Sequence, residues 1–337
     1  MTMHATEDQN ILRDGLGRTI DYLRLSVTDR CDFRCVYCMS EDVQFLPRAQ
    51  VLTLEELATL ARAFTELGVK RIRLTGGEPL VRRDIVSLVE HLSDLPGLDE
   101  VTLTTNGSQL KQFAKPLQQA GLRRINISLD TLQQDRFSSL TRRDKLDQVF
   151  EGIDAAVTAG FERIKLNAVI LKGRNDDEIV ALVEYARERN IDISFIEEMP
   201  LGQITEHDRN ATYCSSDEVQ QVISAQYPLL ASTEKTSGPS RYFRMADSQS
   251  RVGLISPHSH NFCDACNRVR ITVEGQLLLC LGRENAVDLR AILRRYPGDT
   301  QPLKDAVISA LNYKPERHYF NRDDQPQVVR FMNMTGG

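Results

Sequence analysis

No apolar run in the 337-residue sequence approaches the ~18–20 residues that a membrane-spanning helix needs, so an integral membrane protein is not expected. The first twenty residues carry Glu7, Asp8, Arg13, Asp14 and Arg18 and no apolar stretch. They do not read as a secretory signal, and a cytoplasmic location is expected. A surplus of basic residues is missing too: 42 Lys and Arg stand against 47 Asp and Glu, a net charge of −5, which argues against bulk nucleic-acid binding. Repeats and low-complexity tracts are absent. What is present, 41% hydrophobic and 26% charged residues, suits a globular fold with enough apolar side chain to offset chain entropy. Above roughly 250–300 residues one core tends to split, so a large domain with an extension is expected.

A fourth cysteine is missing twice. The seven cysteines fall as Cys31, Cys35, Cys38, then a lone Cys214, then Cys263, Cys266 and Cys280. An odd number in two distant triplets is no disulfide framework; in a reducing compartment such triplets read as metal sites. Cys214 reads as a plain packed thiol.

From Asp21 to about Pro200, short apolar strands alternate with amphipathic helices. The strands are expected at Tyr22–Val27, Arg71–Leu74, Val101–Thr104, Arg124–Leu129, Ile164–Ile170 and Ile191–Ile196. Thr53 and Glu56 have the spacing of a capping box, ahead of Leu57, Leu60, Ala61, Phe64 and Leu67 at helical period and Gly68 as the stop. Further helical periods run through Ile85–Leu92, Val149–Val157 and Ile179–Ala186. Six βα units predict an α/β fold with a parallel sheet, a partial (β/α)6 TIM-type barrel, since six are too few to close an eight-stranded one. After Pro200 the rhythm breaks into an α+β extension, with loops at Leu201–Thr212 and Thr233–Ser240 and a helix near Asp217–Gln226. Strands follow near Arg241–Met245, Val252–Ile255, Val269–Val273 and Leu277–Leu279, and a last helix over Leu303–Leu311. The expected division is an N-terminal segment 1–20, a barrel 21–200 and an auxiliary domain 201–337.

Cys31-x3-Cys35-x2-Cys38 follows the first strand on a loop. Three thiolates can hold three corners of an iron–sulfur cubane, whereas structural zinc normally takes four ligands; zinc with a distant fourth ligand is the alternative. With Tyr37 as the aromatic before the last cysteine, the motif resembles that of the radical S-adenosylmethionine superfamily. The resemblance implies a [4Fe-4S] cluster on Cys31, Cys35 and Cys38 whose open iron chelates S-adenosylmethionine, the source of a 5′-deoxyadenosyl radical. The strand ends are polar, as the mouth of an α/β barrel should be: Gly76-Gly77-Glu78-Pro79, Thr104-Thr105-Asn106, Ser128, Asn167 and Glu197-Glu198-Met199. Each alone could be an ordinary turn. Glycines at the second strand's end let backbone approach a ligand closely. By resemblance, Tyr37, Gly77, Ser128 and Met199 contact S-adenosylmethionine.

Cys263-x2-Cys266-x13-Cys280 again supplies three thiolates, and His258 or His260 upstream would complete a Cys3His zinc site. Arg268 and Arg270 flank Val269, and strand alternation turns both arginines the same way, a fork for an anionic or carbonyl-bearing ligand. The paired triplets, the Asn267-Arg268-Val269-Arg270 run and the terminal Gly336-Gly337 resemble the GTP 3′,8-cyclase family, which opens molybdenum cofactor biosynthesis. That resemblance implies a second [4Fe-4S] cluster on Cys263, Cys266 and Cys280 that coordinates guanine. It also implies GTP contacts from Arg24, Arg73, Thr104, Lys165, Arg268, Val269 and Arg270, and a Gly-Gly tail inserted into the cavity. Arg24, Arg73 and Lys165 lie within strands, where a charge is costly unless paired; a triphosphate, or barrel carboxylates such as Glu78 or Glu197, would be the partner.

The implied reaction cyclises GTP to (8S)-3′,8-cyclo-7,8-dihydroguanosine 5′-triphosphate. Its implied partners are an electron donor of flavodoxin or ferredoxin type and, downstream, cyclic pyranopterin monophosphate synthase; a homodimer is left open. Where the family has an Arg ahead of Phe195-Ile196-Glu197 this chain has Ser194, with Arg244 or Arg251 as candidate substitutes. Two other functions stay open: a radical peptide modifier and a two-cluster electron carrier. The second has no use for a barrel mouth lined with basic residues.

Overall fold

The computed structural model describes residues 11–204, 207–234, 236, 238–320 and 328–335. Gly336 and Gly337 lie outside the described residues. The expected alternation is present as β1 (Tyr22–Ser26), α1 (Leu54–Glu66), β2 (Arg71–Thr75), α2 (Ile85–Ser93), β3 (Glu100–Thr105), α3 (Leu110–Gln119) and β4 (Arg124–Ser128). It continues through α4 (Gln134–Thr141), α5 (Leu146–Ala159), β5 (Arg163–Val169), α6 (Ile179–Glu188) and β6 (Asp192–Ile196). Strands β1 to β6 pair in sequence order, all in parallel. Helix α1 starts where the capping box puts it: the Glu56 amide donates to Thr53 Oγ1 (3.2 Å) and the Thr53 amide to Glu56 Oε2 (2.8 Å). Its apolar stripe is buried, and Gly68 takes the left-handed conformation beyond it, at φ +100°.

The extension contributes α7 (Arg209–Thr212), α8 (Ser216–Gln226), β7 (Leu229–Ala231), β8 (Arg241–Met245), β9 (Arg251–Ile255), β10 (Arg268–Ile271), β11 (Gln276–Leu278) and β12 (Ala286–Asp288). Helices α9 (Leu289–Arg295), α10 (Gln301–Leu311) and α11 (Met332–Thr335) complete it. Its strands enter the barrel's own sheet. β10 pairs in parallel with β1 and β9 in parallel with β6, so each edge of the six-stranded core gains one parallel strand. Antiparallel β11–β12 and β8–β7 finish the two sides of an open, twelve-stranded sheet.

The sequence periodicity misses several elements. Helix α3 carries Pro116 in its interior and α4 buries only Phe137, Leu140 and Thr141, so neither shows a full apolar stripe. The expected loop at Leu201–Thr212 ends in the single turn α7, which Asp208 caps by accepting from the Asn210 and Ala211 amides. β7, β12, α9 and α11 are three to seven residues long, too short for a period to be seen.

Helices α3 and α5 pack with Gly152 facing the turn before α3, where a methyl group would collide with the Gly107 carbonyl oxygen. Gly152→Ala is expected to lower stability by about 1–3 kcal/mol through overpacking. A urea melt checks this, and an unchanged midpoint would show that the contact is slack.

Candidate active site

Alternation along the strands turns Tyr22 and Arg24 of β1, Arg73 of β2, Thr102 and Thr104 of β3, Asn126 of β4 and Lys165 of β5 into one cavity of about 1400 Å³, open mouth included. β10 adds Arg268 and Arg270, because its parallel pairing with β1 places Arg270 beside Arg24 and Arg268 beside Tyr22. On the other side of β1, Arg24 stands beside Arg73. Three arginines therefore lie abreast on adjacent strands. A second row, Thr104–Asn126–Lys165, crosses β3 to β5. All seven positions expected to contact GTP line this cavity.

Like charges on neighbouring strands repel, and here they are also dry. Arg73, Arg268 and Arg270 are each 9% exposed. Burial, then Arg270, pushes Arg24 well below the usual arginine range; burial, then Arg268, brings Arg270 to about 10. Burial also lowers Lys165. Tyr22 moves the other way for a buried phenol: burial raises it, but Arg73 and Arg24 outweigh burial and bring it to about 8. Arg73 Nε donates to the Tyr22 hydroxyl at 2.5 Å and Nη1 to Thr104 Oγ1 at 3.2 Å. Among the described residues, Arg24 Nε and Nη2 and Arg268 Nε are buried without a hydrogen-bond partner.

The carboxylates considered as partners are engaged elsewhere. Glu78 accepts from Thr105 Oγ1 (2.7 Å) and the Asn106 and Leu80 amides, and Glu197 accepts from the Ser216, His258 and Ser259 amides. Among the described residues no carboxylate forms an ion pair with Arg24, Arg73, Lys165 or Arg268. The cavity is built to take an anion.

The Cys31–Cys38 loop lies at the C-terminal end of β1. Gly76 and Gly77 at the end of β2 serve it in a way the sequence did not show: what approaches them closely is the Thr28–Arg30 backbone. The Gly77 amide donates to the Thr28 carbonyl and the Glu78 amide to that of Arg30, both at 2.8 Å. Burial pushes Cys38 up to about 12 and raises Cys31 and Cys35 well above the ordinary thiol range. Such thiols stay protonated until a metal replaces the proton. The Phe33 amide (3.4 Å) and Asn106 Nδ2 (3.8 Å) point at Cys31 Sγ, donors that suit a sulfur-bound cluster. Tyr37 donates to Asp130 Oδ2 at 2.6 Å, and burial raises Asp130 to about 6. Ser128 ends β4, while Met199 follows β6 and lines the cavity. Helix α11 closes on this loop, with the Met332 amide donating to the Cys38 carbonyl and Asn333 Nδ2 to that of Asp29 (2.8 Å).

Cys263, Cys266 and Cys280 line the same cavity as the arginines. Burial opposes ionisation of Cys266, but Lys314 and Arg268 bring it below its ordinary value. The Nε2 atoms of both histidines of the zinc alternative are engaged away from the triplet. His258 Nε2 meets the Glu198 carbonyl at 2.9 Å and His260 Nε2 meets Asp217 Oδ1 at 2.7 Å. Among the described residues no three His, Cys, Asp or Glu side chains gather to hold one metal ion. A cubane makes a different demand, since each thiolate binds its own iron.

Arg244 and Arg251 do not replace the family arginine. Arg251 is paired with Asp192 (2.5 Å) and Glu234, Arg244 with Glu234, and neither lines the cavity. Ser194 is buried against Ser240, with its Oγ at 3.1 Å, and the cavity wall there is Tyr242, whose hydroxyl accepts from Lys165 Nζ at 3.4 Å. Cys214 sits in the hydrophobic core, as a packing residue does. Tyr22, Asn126, Tyr242 and His318 also line the cavity and were not singled out by sequence. For Tyr22 and Asn126 the signal was available: each stands two residues from an inward-facing partner on its strand or across from Lys165.

The Radical SAM superfamily pattern matches residues 25–186, and that of Molybdenum Cofactor Synthesis C matches residues 191–320. A GTP 3′,8-cyclase of Ectopseudomonas mendocina is 62% identical over 97% of this chain and 99% of its own length. GTP 3′,8-cyclase 2 of Pseudomonas aeruginosa is 61% identical over 97% of this chain and 98% of its own. Among solved structures, Streptococcus suis SuiB bound to S-adenosylmethionine superposes with a TM-score of 0.62 at 15% identity, covering 92% of this chain and 77% of SuiB, a likeness of fold.

The cationic wall makes Tyr22 a reporter. Because its native value is about 8 against an ordinary 10, the unfolded chain binds the extra proton between these limits, and the Tyr22 contribution to stability grows as pH rises from 8 to 10. An absorbance titration at 295 nm is expected to show one phenol ionising near pH 8 that is lost in Tyr22→Phe. An identical early step in the variant would contradict the assignment.

Proposed function

The chain belongs to the GTP 3′,8-cyclase family of the radical SAM superfamily, and we propose from that premise that its cavity cyclises GTP between C3′ and C8 in molybdenum cofactor biosynthesis. The observation that carries this is the shared cavity: unpaired buried guanidinium groups stand on the same walls as a second cysteine triplet. A triphosphate supplies the charge that Arg24, Arg73, Lys165 and Arg268 lack, through charge-assisted hydrogen bonds in a low-dielectric site. Thr104 and Arg270 extend the donor set, and the Val269 backbone sits between the two arginines of β10.

Cys31, Cys35 and Cys38 hold a [4Fe-4S] cluster beside Tyr37, Gly77, Ser128 and Met199, which contact S-adenosylmethionine. When bound, these two groups supply the 5′-deoxyadenosyl radical for hydrogen abstraction. Residues 201–337 act as an auxiliary domain in which Cys263, Cys266 and Cys280 hold a second [4Fe-4S] cluster for the guanine base. Glu78 and Asp130 fix the loops around the first triplet, and the strand walls hold the ribose in place and keep water away. By family resemblance the Gly336-Gly337 tail, which lies outside the described residues, serves the cavity. The electron donor is of flavodoxin or ferredoxin type, and cyclic pyranopterin monophosphate synthase takes the product.

Reconstituted anaerobically, the protein is expected to hold roughly eight irons, two cubanes of four. Replacing Cys263, Cys266 and Cys280 together should halve the iron while leaving S-adenosylmethionine cleavage to 5′-deoxyadenosine intact and abolishing GTP cyclisation. Zinc in the second site would contradict the guanine assignment. Arg270→Ala is expected to lose more than tenfold in cyclisation, over ~1.4 kcal/mol of transition-state binding, at a nearly unchanged melting temperature. A large fall in melting temperature with full specific activity would make Arg270 structural.

A further inference from the structure

Lys314 follows α10 and is only 5% exposed, yet among the described residues no carboxylate pairs with it. Its Nζ donates to the carbonyl oxygens of Arg268 (3.0 Å) and Leu279. Arg268 stands two residues beyond Cys266 and Leu279 one before Cys280, so a single ammonium ties the two segments that carry these thiols. Among the described residues Lys314 forms no ion pair. Carbonyl oxygens satisfy its N–H groups but not its charge, and a buried charge without a counter-ion is costly.

The third thiol is tied to the same frame by a second cation. Arg18 Nη1 donates to the Cys263 carbonyl (2.9 Å) and the Glu316 carbonyl (2.9 Å), and Nη2 to that of Pro315 (2.7 Å). Here the charge is balanced: Arg18 Nε meets Asp14 Oδ2 at 2.6 Å, and the Asp14 side chain is fully buried. Asp14 also accepts from the Leu16 and Arg18 amides, which sets the hairpin on which Arg18 stands. Residues 314–316 thus sit beneath all three cysteine-bearing segments, with one cation paired and one unpaired.

We propose that Lys314 is a positioning residue whose charge is the counter-ion of the anionic centre held by Cys263, Cys266 and Cys280, with the Asp14–Arg18 hairpin fixing its segment in place. The inference rests on the reading that these thiolates hold an iron–sulfur cluster. It gives residues 14–18 a role: they brace the second cysteine site from the far end of the chain.

A cation beside a cluster favours the reduced, more negative state, so removing it disfavours reduction. The test is a redox titration of the full-length, two-cluster protein followed by electron paramagnetic resonance. The signal that changes on adding S-adenosylmethionine marks the first cluster and leaves the other as the second. In Lys314→Met the reduction equilibrium of the second cluster is expected to shift at least tenfold toward the oxidised form, 59 mV more negative for a one-electron couple. The first cluster should not move. Lys314→Arg, which keeps the charge, should stay within threefold of wild type. An unmoved second cluster in Lys314→Met would overturn the proposal. If Lys314→Met fails to assemble the cluster, Lys314→Gln and Lys314→Arg decide: assembly in Arg alone supports a role for the charge, and failure or success in both overturns it. A wild-type chain with no second signal would overturn the cluster reading and this inference together, and the missing wild-type signal sets that outcome apart.

Discussion

On adjacent strands Arg268, Arg24 and Arg73 bring three cations to one wall where, among the described residues, no carboxylate pairs with them, and charge held away from water is costly without an anion. Much of the architecture follows from how that wall is assembled. β1 and β2 bring two of the arginines by parallel pairing within the barrel, and the third arrives only because β10 of the extension docks on the β1 edge in matching register. Two regions of the chain therefore build one wall, and the cavity exists only when both are folded. The same docking carries Cys266 to the cavity, since it lies two residues before β10. One strand thus places both part of the arginine wall and the second cysteine triplet.

The barrel was legible because its signals are local. Short apolar strands, a capping box at Thr53 and Glu56, and glycine stops each act within a few residues, and all six core strands lie where the pattern puts them. The cysteine triplets and the Arg268–Arg270 fork were legible as chemistry, because spacing alone restricts what three thiols or two alternating guanidinium groups can do. What sequence could not give was partnership across the chain. That Arg251 belongs to Asp192, that Lys314 spans the approaches to Cys266 and Cys280, and that Arg18 reaches Cys263 are long-range facts fixed by tertiary packing. Short elements such as α7 and β12 escaped because they depend on capping and edge pairing rather than periodicity.

Around this cavity, groups that look alike divide by their partners. Glu78 and Glu197 spend their oxygens on backbone amides and brace loops, while Arg251 and Arg124 are closed in ion pairs at Asp192 and Glu100. The unpartnered Arg24 and Arg268 nitrogens are the exception, and their desolvation is the stability cost of a site kept ready for an anion. Tyr242 fills the wall where Ser194 is too small to reach, and its hydroxyl gives Lys165 a neutral partner.

The most direct test of this account is calorimetric binding of GTP to wild type and to Arg24→Met, alongside the thermal stability of each without ligand. Removing an unpaired buried charge should leave the ligand-free variant at least as stable as wild type, while GTP affinity falls by tenfold or more, about 1.4 kcal/mol. A variant that melts well below wild type and binds GTP with unchanged affinity would show that the arginine wall is part of the scaffold and not the seat of the triphosphate.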